Sequence, residues 1–97
     1  MVQFKIANEM ILWEEAMERR ETKFDNGQLQ ELYYVKVDSE GNELKEGPYT
    51  SWNEQGKRIK ECCYKDGKID GPCIRWYQNG KVMFECVYQE GKIVALK

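Results

Sequence analysis

The chain from Gly47 to Val94 is one unit written twice, with Gly47 to Asp70 followed without a gap by Gly71 to Val94. At a period of 24 residues, Gly47/Gly71, Pro48/Pro72, Trp52/Trp76, Gly56/Gly80, Lys57/Lys81, Glu61/Glu85, Cys62/Cys86, Tyr64/Tyr88, Gly67/Gly91, Lys68/Lys92 and Ile69/Ile93 coincide. Such a period belongs to stacked supersecondary units, each of which buries its apolar side only against the next. Gln55-Gly56, Asp66-Gly67, Asn79-Gly80 and Glu90-Gly91 punctuate the units at alternating intervals of 11 and 13 residues. The segments between them are therefore strands of about five to eight residues, each antiparallel to its neighbour.

Upstream, Asp25-Asn26-Gly27 stands between Thr22-Lys23-Phe24 and the run Leu29 to Val37, and Asn-Gly in that setting predicts a two-residue type I′ turn. A second turn follows at Asp38 to Asn42. The order of parts matches a repeat, but Gly27 to Gly56 spans 29 positions against 24 from Gly56 to Gly80, so residues 20–46 read as a diverged unit. Val2-Gln3-Phe4-Lys5-Ile6 alternates as a half-buried strand does. Asn8 is placed to cap a helix with Met10, Trp13 and Met17 on one face and Arg19 and Arg20 in its last turn; alternatively, Met10-Ile11-Leu12-Trp13 is the return strand of a hairpin. The expectation is a mainly β single domain over 1–97, an elongated twisted antiparallel meander of stacked hairpin repeats. Residues 1–19 would be a cap segment with or without a short helix, 20–46 the diverged repeat, and 47–70 and 71–97 the repeats proper.

A turn at Asn79-Gly80 sets Trp76 opposite Met83 and Tyr77 opposite Val82. One face then carries Ile74, Trp76, Met83, Glu85 and Val87, matched by Thr50, Trp52, Ile59, Glu61 and Cys63, and is expected to be the core side with the two tryptophans as anchors. The other carries Ser51, Asn53, Arg58, Lys60, Cys62 and Tyr64 in one repeat, but Arg75, Tyr77, Val82, Phe84, Cys86 and Tyr88 in the next. Tyr77, Val82, Phe84 and Tyr88 thus form a candidate partner surface, covered either by the N-terminal segment or by a second molecule. Gly56, Gly67, Gly80 and Gly91 are expected at positive φ, with Gly47 a milder position.

The 97 residues contain no His and four cysteines, Cys62, Cys63, Cys73 and Cys86, with no CxxC pair. Zinc-type spacing is absent, and the thiols read as reduced packing residues. Residues 1–46 carry 6 basic and 11 acidic side chains, residues 47–97 carry 9 and 6; that excess is too small to expect nucleic acid as a partner. No apolar run approaches the roughly 20 residues of a membrane helix, and the N-terminus lacks the layout of a secretory signal. A cytoplasmic location is expected. No nucleophile elbow, phosphate loop or metal cluster is written in the chain, so neither catalysis nor a cofactor is expected. Glu61 and Glu85 recur once per repeat, which speaks for architecture over a catalytic carboxylate pair.

Gly-Lys-x-x-Gly-Pro-x-x-x-Trp, then a turn glycine, then Glu and Tyr before the next Gly-Lys, resembles the MORN repeat, and in its variant form the bacterial YwqK-type antitoxin proteins. The resemblance spans 47–94 closely and 23–46 loosely. It implies a non-catalytic hairpin-repeat module that binds a protein partner, such as the toxin of a toxin–antitoxin pair. The alternatives it carries are a phospholipid-headgroup module using the basic surface Lys57, Arg58, Lys60, Lys65 and Lys68, or a structural homodimer. Gly47, Trp52, Gly56, Gly67, Gly71, Trp76, Gly80 and Gly91 are its structural positions.

Overall fold

Residues 17–97 are described by the computed structural model. Their glycine-punctuated segments become β1 (Glu18–Lys23), β2 (Leu29–Val37), β3 (Glu43–Lys45), β4 (Gly47–Trp52), β5 (Arg58–Lys65), β6 (Lys68–Ile69), β7 (Gly71–Trp76), β8 (Val82–Gln89) and β9 (Lys92–Leu96). All nine join one antiparallel sheet in the order β1-β2-β4-β5-β7-β8-β9, with β3 beside β2 and β6 beside β5. The sheet is an open meander of hairpins, and no helix occurs among the described residues. Arg19 and Arg20 lie in β1 and pair with Tyr34 and Tyr33, so they do not close a helix. The strand over 2–6 and the two readings of 8–16 lie outside the described residues.

Two turn chemistries alternate along the meander. Four hairpins close with three-residue loops ending in Gly27, Gly41, Gly56 and Gly80, whose N–H groups donate to Phe24, Asp38, Asn53 and Tyr77 carbonyls at 2.9–3.1 Å. Only the glycine takes positive φ there, the pattern of a type I turn followed by a bulge. The type I′ turn expected at Asn26-Gly27 is therefore not formed. Asn26 and Asn79 turn their side-chain oxygens onto the amides two residues on, at 2.8 and 2.9 Å, a local bond that competes with the left-handed conformation type I′ demands. Type I′ geometry appears instead at Asp66-Gly67 (φ 51 and 86) and Glu90-Gly91 (φ 50 and 85).

The three-residue loops also correct the pairing at the tryptophans. The ladder is as read further in, with Ile74 opposite Glu85, but a bulge at Arg75/Trp76 sets Trp76 against Val82. Another at Ser51/Trp52 sets Trp52 against Arg58. Ile59 and Met83 are thereby left as extra residues, and Met83 is 41 % exposed.

The core lies on the face opposite to the one expected. Tyr49, Cys62, Cys73 and Cys86 are buried, with Tyr33, Tyr64, Ile69, Phe84 and Tyr88 packed against them. Burial follows from what stands across each ring: Tyr64 is opposite Gly47, and Tyr88 is opposite Gly71. A ring facing a glycine is free to lean over the next rung of its face, which is Tyr49–Cys62 for Tyr64 and Cys73–Cys86 for Tyr88. Trp52 and Trp76 are only half-buried. Gly47 and Gly71 take positive φ, 93 and 105, so Gly47 is not the milder position. The strand path bends there, letting β3 and β4 both pair with β2, and β6 and β7 both pair with β5.

Repeat-equivalent bonds tie each hairpin to the one before. Gly67 N–H donates to the Lys45 carbonyl at 2.9 Å and Gly91 N–H to that of Ile69 at 2.8 Å. Beside them, Asp66 N–H donates to Glu46 Oε1 at 2.8 Å and Glu90 N–H to Asp70 Oδ2 at 3.0 Å. The diverged first unit is longer because its hairpin adds the pairs Val37–Glu43 and Asp38–Asn42 and a third loop residue.

Candidate functional site

Antiparallel pairing lines residues up in rows that cross the sheet, so each face is a set of rows. On the packed face one row runs Tyr33, Tyr49, Cys62, Cys73, Cys86, Leu96, fixed by rungs such as Tyr49–Cys62, Cys73–Cys86 and Cys86–Leu96. All four cysteines are free; Cys62, Cys73 and Cys86 are buried, whereas Cys63 is exposed, contrary to its reading as a packing residue. Burial pushes the Cys62 thiol up to about 11 and raises Cys73 as well. Thiols held protonated are poor nucleophiles, so this row is packing and not a reactive centre.

The same face becomes polar toward β2. Lys45 Nζ sits among Tyr33, Tyr49 and Tyr64, 5.0, 5.4 and 5.3 Å from the ring centroids, and Lys60 Nζ is 5.4 Å from Tyr49. Tyr33 stacks on Tyr49 at 5.9 Å, and Tyr64 tilts against it at 5.7 Å. Tyr49 donates its hydroxyl to Glu31. Burial first, and the Glu31 carboxylate second, raise the Tyr49 phenol. Ring quadrupoles attract the ammonium, so the chain fills this aromatic cluster with its own lysine.

The opposite face carries an open groove of about 330 Å³ that crosses β4, β5, β7 and β8. One wall is the row Thr50, Glu61, Ile74, Glu85; the other is Pro48, Cys63, Pro72. Three repeat-equivalent pairs build it: Pro48/Pro72, Thr50/Ile74 and Glu61/Glu85. The two carboxylates differ in their surroundings. Glu61 pairs with Arg58, whose guanidinium lies 5.3 Å from the Trp76 ring. One period later Arg58 is replaced by Val82, and Glu85 makes no ion pair among the described residues. Lys97 stands at the groove's end beside Glu85, its N–H donating to the Glu85 carbonyl at 2.9 Å.

The expected surfaces are dispersed. Tyr77 and Val82 are exposed, but Phe84 and Tyr88 pack into the core. Of the basic set, Arg58 is paired with Glu61 and Lys60 covers Tyr49 on the other face. Lys65 and Lys68 line a separate concavity shared with Asp66, Asp70 and Glu90, and Lys57 is exposed at a hairpin tip. Among the described residues, no group of three His, Cys, Asp or Glu is placed to hold a metal ion. Sequence reasoning missed the Tyr33/Tyr49/Lys45 cluster and the groove, because it placed the core on the wrong side. The signal available was Tyr64 and Tyr88 standing opposite Gly47 and Gly71, a pairing that the 24-residue register already implies.

Stacked hairpins and an open cross-strand groove define a repeat scaffold. Residues 45–66 and 69–94 match the family described as MORN repeat variant, as two adjacent repeats. Repeats of this family are generally non-catalytic modules that bind proteins or membranes. Comparison with curated proteins and with solved structures returned no match.

Proposed function

We propose that this protein is a non-catalytic protein-binding module whose groove takes an anchoring side chain from its partner, and that its role is that of an antitoxin or immunity protein acting in the cytoplasm. The groove carries the reading: its walls are built from positions that recur in both repeats, and among the described residues its acid at Glu85 makes no ion pair, whereas Glu61 pairs with Arg58 of its own strand. A groove of about 330 Å³ is at the small end of pockets that take one compact group, about 300–1,000 Å³, whereas a stable protein interface engages about 20–30 residues a side. It therefore serves as the anchor of a larger contact, filled by a side chain with an apolar stem and a cationic end. Inhibition of a toxin then needs only occlusion, with no chemistry.

Affinity capture from the native host, with Glu85→Lys run beside the parent, tests this. The expected result is one stoichiometric partner retained by the parent and lost by Glu85→Lys at unchanged melting temperature, with co-expression of the parent restoring growth to cells that express that partner. Capture insensitive to Glu85→Lys removes the groove from the reading. A partner whose expression leaves growth unaffected removes the antitoxin role.

A further inference from the structure

Among the described residues, the two edges of the sheet are built differently. β1 presents charges tied to one another, Arg19 to Glu21 at 2.7 Å and Arg20 to Glu18 and Glu43 at 2.9 and 2.7 Å, which blunts an edge against pairing. β9 does the reverse in its middle: Ile93, Val94 and Leu96 are 50, 56 and 76 % exposed. Its Ile93 carbonyl is also the next member of a series, since the equivalent Lys45 and Ile69 carbonyls each accept the N–H of an incoming hairpin glycine.

We propose that β9 is a docking edge for an extended strand of a partner protein that is apolar in its centre and carries a carboxylate at each end. Three observations choose this occupant. Lys92 and Lys97 bracket the apolar stretch, so a strand laid antiparallel along it meets a cation at both ends. A second copy of β9 in full-length antiparallel register sets each Lys92 against the other copy's Lys97, a like-charge pairing that destabilises a ladder. Another repeat hairpin is also disfavoured: Glu46 and Asp70 accept the turn amides of hairpins arriving inside the array, but the equivalent position at the edge is Val94. A single extended strand needs the carbonyl and not that carboxylate. This edge shares only Lys97 with the end of the groove and stands whether or not the groove is a site.

The probes are two fluorescent capped peptides, Glu-Val-Thr-Val-Ile-Glu and the same sequence with Lys at both ends, titrated by anisotropy into the parent and into a Lys92→Glu/Lys97→Glu double variant. Both positions are exposed, so the variant is expected to melt with the parent. The acidic peptide should bind the parent about tenfold more tightly than the basic one, since each cross-strand charge pair shifts pairing by a fraction of a kcal/mol or more. In the double variant the preference should invert, and bound acidic peptide should slow amide exchange in β9 of the parent. The proposal falls if neither peptide binds the parent at millimolar concentration, if the preference survives the charge swap, or if sedimentation shows a parent dimer that β9 substitutions dissolve, which would give the edge to a second copy.

Discussion

At the scale of single residues, the packed face is held by groups that must stay uncharged. Cys62 and Cys73 and the phenols of Tyr49, Tyr64 and Tyr88 are all raised, with burial the largest cause. A group whose folded pKa is raised binds its proton more tightly in the fold, so its contribution is complete below the unfolded pKa and is lost as pH rises through the folded one. For Cys62 the window runs from the ordinary thiol value of about 8.5 to about 11. Urea midpoints should therefore fall steadily above about pH 8.5; a flat profile to pH 11 would mean that the thiols titrate normally in the folded protein. The same burial predicts that iodoacetamide modifies Cys63 alone under native conditions, read by mass spectrometry. Cys86, 1 % exposed, should not tolerate Ser, because a hydroxyl buried without a partner costs about 1–3 kcal/mol. Cys63→Ser should stay within about 0.5 kcal/mol of the parent.

At the scale of the hairpin, turn residues set the local register. Glu90 occupies positive φ in a type I′ turn, as does Asp66, yet Glu is poorly suited to that conformation while Asn adopts it readily. Glu90→Asn should stabilise the fold by up to about 1 kcal/mol, read as a higher denaturation midpoint; a lower midpoint would show that the turn geometry has been misassigned. Gly27 and Gly67 form a matched pair, both at φ 86. A Cβ at Gly27 meets nothing within 4 Å, whereas at Gly67 it meets Leu44 Cδ2 at 3.2 Å. Both alanine variants should lose about 1–2 kcal/mol to strain, and Gly67→Ala the more, since Leu44 must move. Strand existence, antiparallel order and, away from the bulges, the division of residues between two faces were legible in the 24-residue period; Arg58, expected on the face of Lys60 and Cys62, lies instead with Glu61 and Trp76. Which face is buried was not, because it depends on Gly47 and Gly71 accommodating the tyrosines opposite, a steric fact that hydrophobicity does not record. The bulges were hidden too: at Asn26 and Asn79, Asn-Gly suits both a two-residue and a three-residue loop, and the side-chain bond to the amide two residues on goes with the longer one.

At the scale of the molecule, each strand pairs only with its neighbours along the order β1-β2-β4-β5-β7-β8-β9, so stability is a chain of local joints. Amide exchange should be slowest around Cys62 and Cys73 in the middle of the array and fastest in β9, every residue of which is exposed. Uniform protection across all strands would mean that the sheet opens only as a whole. The ties between hairpins carry a further meaning. Lys45 to Gly67 and Ile69 to Gly91, like Glu46 to Asp66 and Asp70 to Glu90, are the same joint displaced by one period. The instructions for attaching a unit are thus contained within the unit, and a gene that stutters over the codons for residues 47–70 copies the fastening along with the piece it fastens. Length in such a protein is inherited as a count, free to change by whole numbers with no compensating mutation elsewhere.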